Sequence, residues 1–203
     1  SVTGAYWSFT ITDGALRMLV LLQFAALGYG PLTIGFLFLL YELLGVVANL
    51  SGGWLGTRFG LRATLLWGLA LQVFALLLLS PVRGDWLAAL VVPWVMGAQA
   101  ISGVAKDLTK MSAKSALRHI VDDDAPGSVH GPLFRWVALL TGSKNALKGL
   151  GYFVGGALLA WLGFATALQV LAGGVFLVLC LGLFLIPRSF GTARRGKGLR
   201  SIL

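Results

Sequence analysis

Three basic residues, Arg17, Lys144 and Lys148, stand within or at the edge of stretches otherwise suited to a lipid bilayer. A charge in hydrocarbon costs a few kcal/mol or more, so such residues persist where they face a partner or a water-filled cavity, and mark a functional path. Their shared positive sign points to an anionic cargo. Asp13 lies four residues before Arg17, on the same helix face and in the favourable acid-first order. The pair is either a neutralised packing contact or a site where Arg17 grips an anionic oxygen while Asp13 tunes it or carries a proton. Lys144 and Lys148 also share a face, but like charges at this spacing repel, and no acid lies within four residues of either. Two such cations call for water or an anion. If their helix begins near Leu133, Lys144 lies about 16 Å along it; if it begins near Thr141, both lysines snorkel to the surface.

Other charges have more than one reading. Glu42 is the only acid in its apolar run, and is either a proton carrier or a helix contact to Asn49 or an arginine. Lys106, Lys110 and Lys114 recur every four residues beside Asp107. They form a solvated helix face, with Lys106 able to reach a cavity mouth. Tyr6, Trp7 and Gln23 either line the first helix or belong to the interfacial aromatic belt. His119 and His130 flank the acidic cluster Asp122, Asp123 and Asp124, but the spacing matches no standard metal-ligand pattern and a solvated loop accounts for it. No cofactor, metal or catalytic group is called for, and an enzyme is not expected.

The elements that position these residues follow from composition. The chain has 203 residues, 58% apolar and 11% charged, where a soluble domain carries about 25% charged residues. The apolar runs are continuous rather than alternating, which excludes an outer-membrane barrel pattern. Helices are the expected spanning form, because each satisfies its own backbone in lipid. About 20 apolar residues cross a bilayer core, which gives spans over residues 4–27, 32–55, 63–81, 86–105, 133 or 141 to 162, and 165–186. A tight turn at 28–31 separates the first two, and a short polar loop at 57–62 the next two. The fourth continues as an amphipathic helix over 106–119. Six transmembrane helices are expected in an all-α membrane protein.

The formal net charge of +9 invites a nucleic-acid reading, but the basic residues form no stripe with interleaved aromatics. They sort by membrane side instead. Arg58 and Arg62, then Lys106, Lys110, Lys114, Arg118 and Arg135, then the tail residues Arg188, Arg194, Arg195, Lys197 and Arg200 fall on one side, against Arg83 on the other. The positive-inside rule puts the tail and the even-numbered loops in the cytoplasm. Cys180 lies in an apolar run as a packing thiol. The chain begins without Met and ends after a basic segment, and reads as part of something longer. A faint internal echo links Trp54-Leu55-Gly56 with Trp161-Leu162-Gly163, each followed by a Leu-Gln-Val string, as chance or as three helices repeated in inverted orientation.

Residues 53–62, GWLGTRFGLR, resemble the signature loop between the second and third helices of major facilitator transporters. Gly53, Leu55, Arg58, Gly60 and Arg62 match it in type and spacing, while Thr57 replaces its acidic residue. Gly142, Gly151, Gly155 and Gly156 resemble, more loosely, that superfamily's glycine-rich antiporter motif. Three longer strings, TITDGALRML at 10–19, SGVAKDLTKMSAKSA at 102–116 and TGSKNALKG at 141–149, are similar to those of ArsJ-type organoarsenical efflux permeases within this superfamily. The resemblance covers nearly the whole chain but only the N-terminal half of such a protein. It implies a six-helix bundle over 1–187, one 3+3 inverted-repeat half of a major facilitator fold. It also implies a cytoplasmic linker starting at 188–203, and a C-terminal half that is missing here and would be this half's partner. The implied activity is export of 1-arseno-3-phosphoglycerate across the bacterial inner membrane. A glyceraldehyde-3-phosphate dehydrogenase would make that ester from arsenate, and proton antiport would drive its export, giving arsenate resistance. Arg17, Lys144, Lys148 and Lys106 would bind the cargo, and Asp13 and Glu42 would carry protons. An arsenate ester resembles phosphate, so Arg and Lys rather than Cys would hold it. The alternative cargo is a sugar phosphate or another organic anion.

Overall fold

The computed structural model describes residues 2–82, 86–123 and 131–186, with backbone alone at 51–59, 88, 114, 116–123 and 131–141. Among the described residues the chain is all helical, in the order α1 Val2–Ala26, α2 Pro31–Phe59, α3 Leu61–Leu79, α4 Ala88–Asp123, α5 Gly131–Leu162 and α6 Phe164–Leu185. Among the described residues, α1, α2, α3, α4 and α6 are long and apolar enough to cross a membrane. α5 has the length, at 32 residues, but carries Lys144 and Lys148 in its middle.

Glycine sets the breaks between helices. Gly60 (φ 83°) separates α2 from α3, and Gly163 (φ 74°) separates α5 from α6. Each adopts a left-handed φ that a Cβ would strain, then caps the next helix through its carbonyl, accepting from Thr64 N–H and Ala167 N–H respectively. The loop expected at 57–62 is therefore a single residue, because α2 continues to Phe59 and only Gly60 leaves the helix. The Trp-Leu-Gly echo falls out of register for the same reason. Gly163 is a break, while Trp54-Leu55-Gly56 lies inside α2 and the matching break comes four residues later. Between α1 and α2, Gly28 (φ 83°) makes the turn and Pro31 opens α2, where its missing N–H costs nothing.

The helices meet along two glycine-lined crossings. On α1 and α5, a Cβ at Gly14 would sit 2.7 Å from the Lys148 carbonyl oxygen and 3.2 Å from Gly151 Cα, and one at Gly155 would strike Ala15. On α2 and α4, a Cβ at Gly103 would strike the Tyr41 backbone, and one at Gly45 would sit 2.6 Å from Asp107 Oδ2. Small residues allow this approach, which replaces the hydrophobic drive that lipid does not supply. α1 packs most extensively on α5 and α2 on α4, while α3 lies against α4 and α6. Leu16, Leu19, Phe24, Leu65, Leu69, Leu76 and Leu168 fill the core between α1, α3 and α6. Leu32, Leu50, Phe153, Trp161 and Phe184 stand outward, as lipid-facing side chains do. Thr10, Asp13, Gln72, Ser102, Asp107 and Thr109 are buried.

Candidate functional site

A cavity of about 310 Å³ opens where α1, α2, α4 and α5 converge. α1 contributes Tyr6, Phe9, Thr10, Asp13 and Arg17, on one face at three- and four-residue spacing. Thr10 Oγ1 turns back to the Tyr6 carbonyl at 2.8 Å, so its hydroxyl is satisfied within its own helix. α2 contributes Glu42, α4 contributes Lys106 and Lys110, and α5 contributes Lys144 and Lys148.

Tyr41, behind the lining, ties several of these residues together. Its ring is fully buried, and its hydroxyl donates to the Asp13 carboxylate. Arg17 Cζ lies 4.2 Å from the ring centroid and Lys106 Nζ lies 4.2 Å from the same centroid, so one aromatic ring supports two cations. Both then converge on one carboxylate. Arg17 Nη2 donates to Glu42 Oε1 at 2.5 Å, and Lys106 Nζ to Glu42 Oε2 at 3.4 Å. Arg17 Nε lies 3.9 Å from Asp13 Oδ2 and has no hydrogen-bond acceptor among the described residues. Asp107, buried behind the cavity wall, sits 3.5 Å from Lys110 Nζ and 4.0 Å from Lys106 Nζ. Lys148 Nζ lies 5.9 Å from the Tyr152 ring centroid.

Five basic side chains thus line the cavity against the carboxylates of Asp13 and Glu42. Among the described residues, and counting Asp107 behind them, two formal positive charges remain in excess. In a low-dielectric bundle this excess attracts anions strongly. The arrangement offers guanidinium and ammonium donors at several points around one small space, the chemistry that binds phosphate or carboxylate. Among the described residues no group of His, Cys, Asp and Glu is arranged to hold a metal ion.

The sequence-level candidates mostly come together. Arg17, Lys106, Lys144, Lys148, Asp13 and Glu42 line one cavity, and Glu42 takes the arginine partner rather than Asn49. The four-residue spacing of Arg17 from Asp13 is present, but the shorter contact of Arg17 is to Glu42 on the neighbouring helix. The signature-loop residues stand apart from the cavity. Arg62 Nη2 donates to the Leu183 carbonyl at 2.8 Å, tying the start of α3 to the last turn of α6. Gly60 supplies the helix break, Gly53 lies within α2, and the side chains of Arg58 and Lys114 lie outside the described residues. So do residues 124–130, which include His130, and the basic tail.

Sequence reasoning missed Tyr41 and underrated Lys110 and Asp107. The signal for Tyr41 was its place beside Glu42 in an otherwise apolar run, since a buried Tyr needs a partner for its hydroxyl. Comparison with family models, curated proteins and solved structures finds no match for this chain.

Proposed function

We propose that this chain is the cargo-gripping half of a secondary transporter that exports a small phosphate-like organic anion. The observation that carries the reading is the excess of two positive charges around a cavity enclosed by membrane-length helices. A phosphate monoester neutralises that excess, and its several oxygens match donors spread over three helices. An enzyme of the same shape would need a nucleophile or general base aimed at the bound group, whereas the acids described here are engaged with cations.

The helix pairing supports a half of the major facilitator type. Exchanging α1 with α4, α2 with α5 and α3 with α6 turns the α1–α5 contact into the α4–α2 contact, the two most extensive in the bundle. The same exchange relates the glycine crossing at Gly14 to that at Gly103. Arg17 lies three residues after Gly14, and Lys106 lies three residues after Gly103. Two cations in equivalent positions on a repeated unit is what an inverted 3+3 repeat would produce. On this reading α5 also spans the membrane and brings the spans to six, its lysines facing the cavity rather than lipid, and a second six-helix half closes the cavity. The excess of basic residues at one membrane side supports a cytoplasmic tail in a bacterial inner membrane.

The favoured cargo is 1-arseno-3-phosphoglycerate, supplied by a glyceraldehyde-3-phosphate dehydrogenase acting on arsenate, with export coupled to protons through Asp13 and Glu42. It rests on the resemblance of the strings around Asp13, Lys106 and Lys144. Everted vesicles containing the full transporter should accumulate the enzymatically generated ester, and replacing Arg17 and Lys144 together by Met should abolish uptake. Undiminished uptake by the double variant would remove these residues from the site. Protection of growing cells from arsenate separates this cargo from a sugar phosphate, which would give transport without resistance.

A further inference from the structure

Glu42 is the odd member of the cavity. Its side chain is 57% exposed, whereas the two cations it bridges, Arg17 and Lys106, are 19% and 22% exposed. Each of its oxygens takes one cation, Oε1 from Arg17 and Oε2 from Lys106. That is how a ligand carboxylate or two oxygens of a phosphate would sit between the same donors. Neither cation depends on Glu42 for support, because both rest on the Tyr41 ring, and Asp13 and Asp107 flank them from behind.

We propose that Glu42 is a built-in competitor: its carboxylate holds the place of an anionic ligand's oxygens between Arg17 and Lys106, and a phosphate-bearing ligand enters by displacing it. The proposal rests on the anion-site reading of the cavity and adds the order of exchange within it. Glu42 closes the cation pair when the site is empty, and swings toward the open cavity when a ligand arrives. Protonation of Glu42 frees the same two cations, so protonation and ligand binding each favour the other by linkage. Among the described residues, the charged groups that share the cavity with this carboxylate or lie behind its wall are Arg17 and Asp13 from α1, Lys106, Lys110 and Asp107 from α4, and Lys144 and Lys148 from α5, and the Tyr41 hydroxyl is held by Asp13. A proton is therefore taken up at Glu42 as the anion binds.

The test compares wild type with Glu42→Gln, an isosteric change at an exposed position, as purified protein in nanodiscs of zwitterionic lipid, with glycerol 3-phosphate as the probe. A site occupied by its own carboxylate about nine-tenths of the time loses about tenfold in apparent affinity. Glu42→Gln should accordingly bind the probe about tenfold more tightly. Calorimetry near pH 5, in buffers of different ionisation enthalpy, should show more proton uptake per ligand bound by the wild type than by Glu42→Gln, the difference cancelling the ionisation of the probe's own phosphate. Equal or weaker binding by the variant, or proton uptake no greater in the wild type than in Glu42→Gln, overturns the competitor role and leaves the anion site standing. No binding by either protein overturns the anion site itself.

Discussion

At the level of single residues, Tyr41 explains how two cations are held side by side inside a membrane bundle. Its hydroxyl fixes the Asp13 carboxylate and its ring carries Arg17 and Lys106. The two roles separate by substitution. Tyr41→Phe keeps the ring and loses the hydroxyl, leaving a buried carboxylate oxygen short of a donor, and should lower stability by about 1–3 kcal/mol with little change in anion affinity. Tyr41→Leu also removes the aromatic face that supports both cations, a contribution of about 2 kcal/mol when desolvated, and should weaken anion binding clearly more than Phe does. Thermal unfolding and equilibrium binding of the two variants measure the difference. Charge was the legible part of this site. Asp13, Arg17, Glu42, Lys144 and Lys148 announce themselves as charges in apolar runs, whereas Tyr41 carries no charge and its role depends on which helices cross beside it.

At the level of elements, approach distance is set by glycine, and position decides which glycines matter. Gly103 and Gly97 both lie on α4. A Cβ at Gly103 would run into the Tyr41 backbone, while one at Gly97 meets nothing within 4 Å. Gly103→Ala should therefore destabilise the bundle by roughly 1–3 kcal/mol through forced separation of α2 and α4, and should disturb the Tyr41 ring and with it the cation pair. Gly97→Ala should be neutral or stabilising by up to about 1 kcal/mol, from helix propensity alone. Unfolding of the two variants in the same detergent checks the contrast. The number of helices and their approximate centres were legible from apolar length. Their ends were less so, because polar residues near Arg58 suggested a loop where α2 continues to Phe59. Backbone hydrogen bonding carries a helix through such residues until a glycine adopts a left-handed φ. The start of α5 was left open between two positions. It begins at Gly131, which puts Lys144 about 20 Å along the helix, where it lines the cavity.

At the level of the whole molecule, large apolar side chains face outward as well as filling the core, and among the described residues every charged side chain except Arg62 lies at or just behind one cavity. The four helices that line it are also those joined by the two glycine crossings, α1 with α5 and α2 with α4. The close approaches and the cation cluster therefore belong to one arrangement. Sequence alone placed the charges on four separate helices but not against one another, since that pairing depends on the bundle's topology. The central claim is that this cavity selects by negative charge. It is tested most directly by equilibrium binding of glycerol, glycerate and glycerol 3-phosphate to the purified protein, three probes with the same carbon skeleton and rising charge. The account predicts no binding of glycerol, weak binding of glycerate and tightest binding of glycerol 3-phosphate, with at least about tenfold lost when Arg17 and Lys144 are replaced by Met. Equal affinity for all three, or unchanged affinity in the double variant, would contradict it.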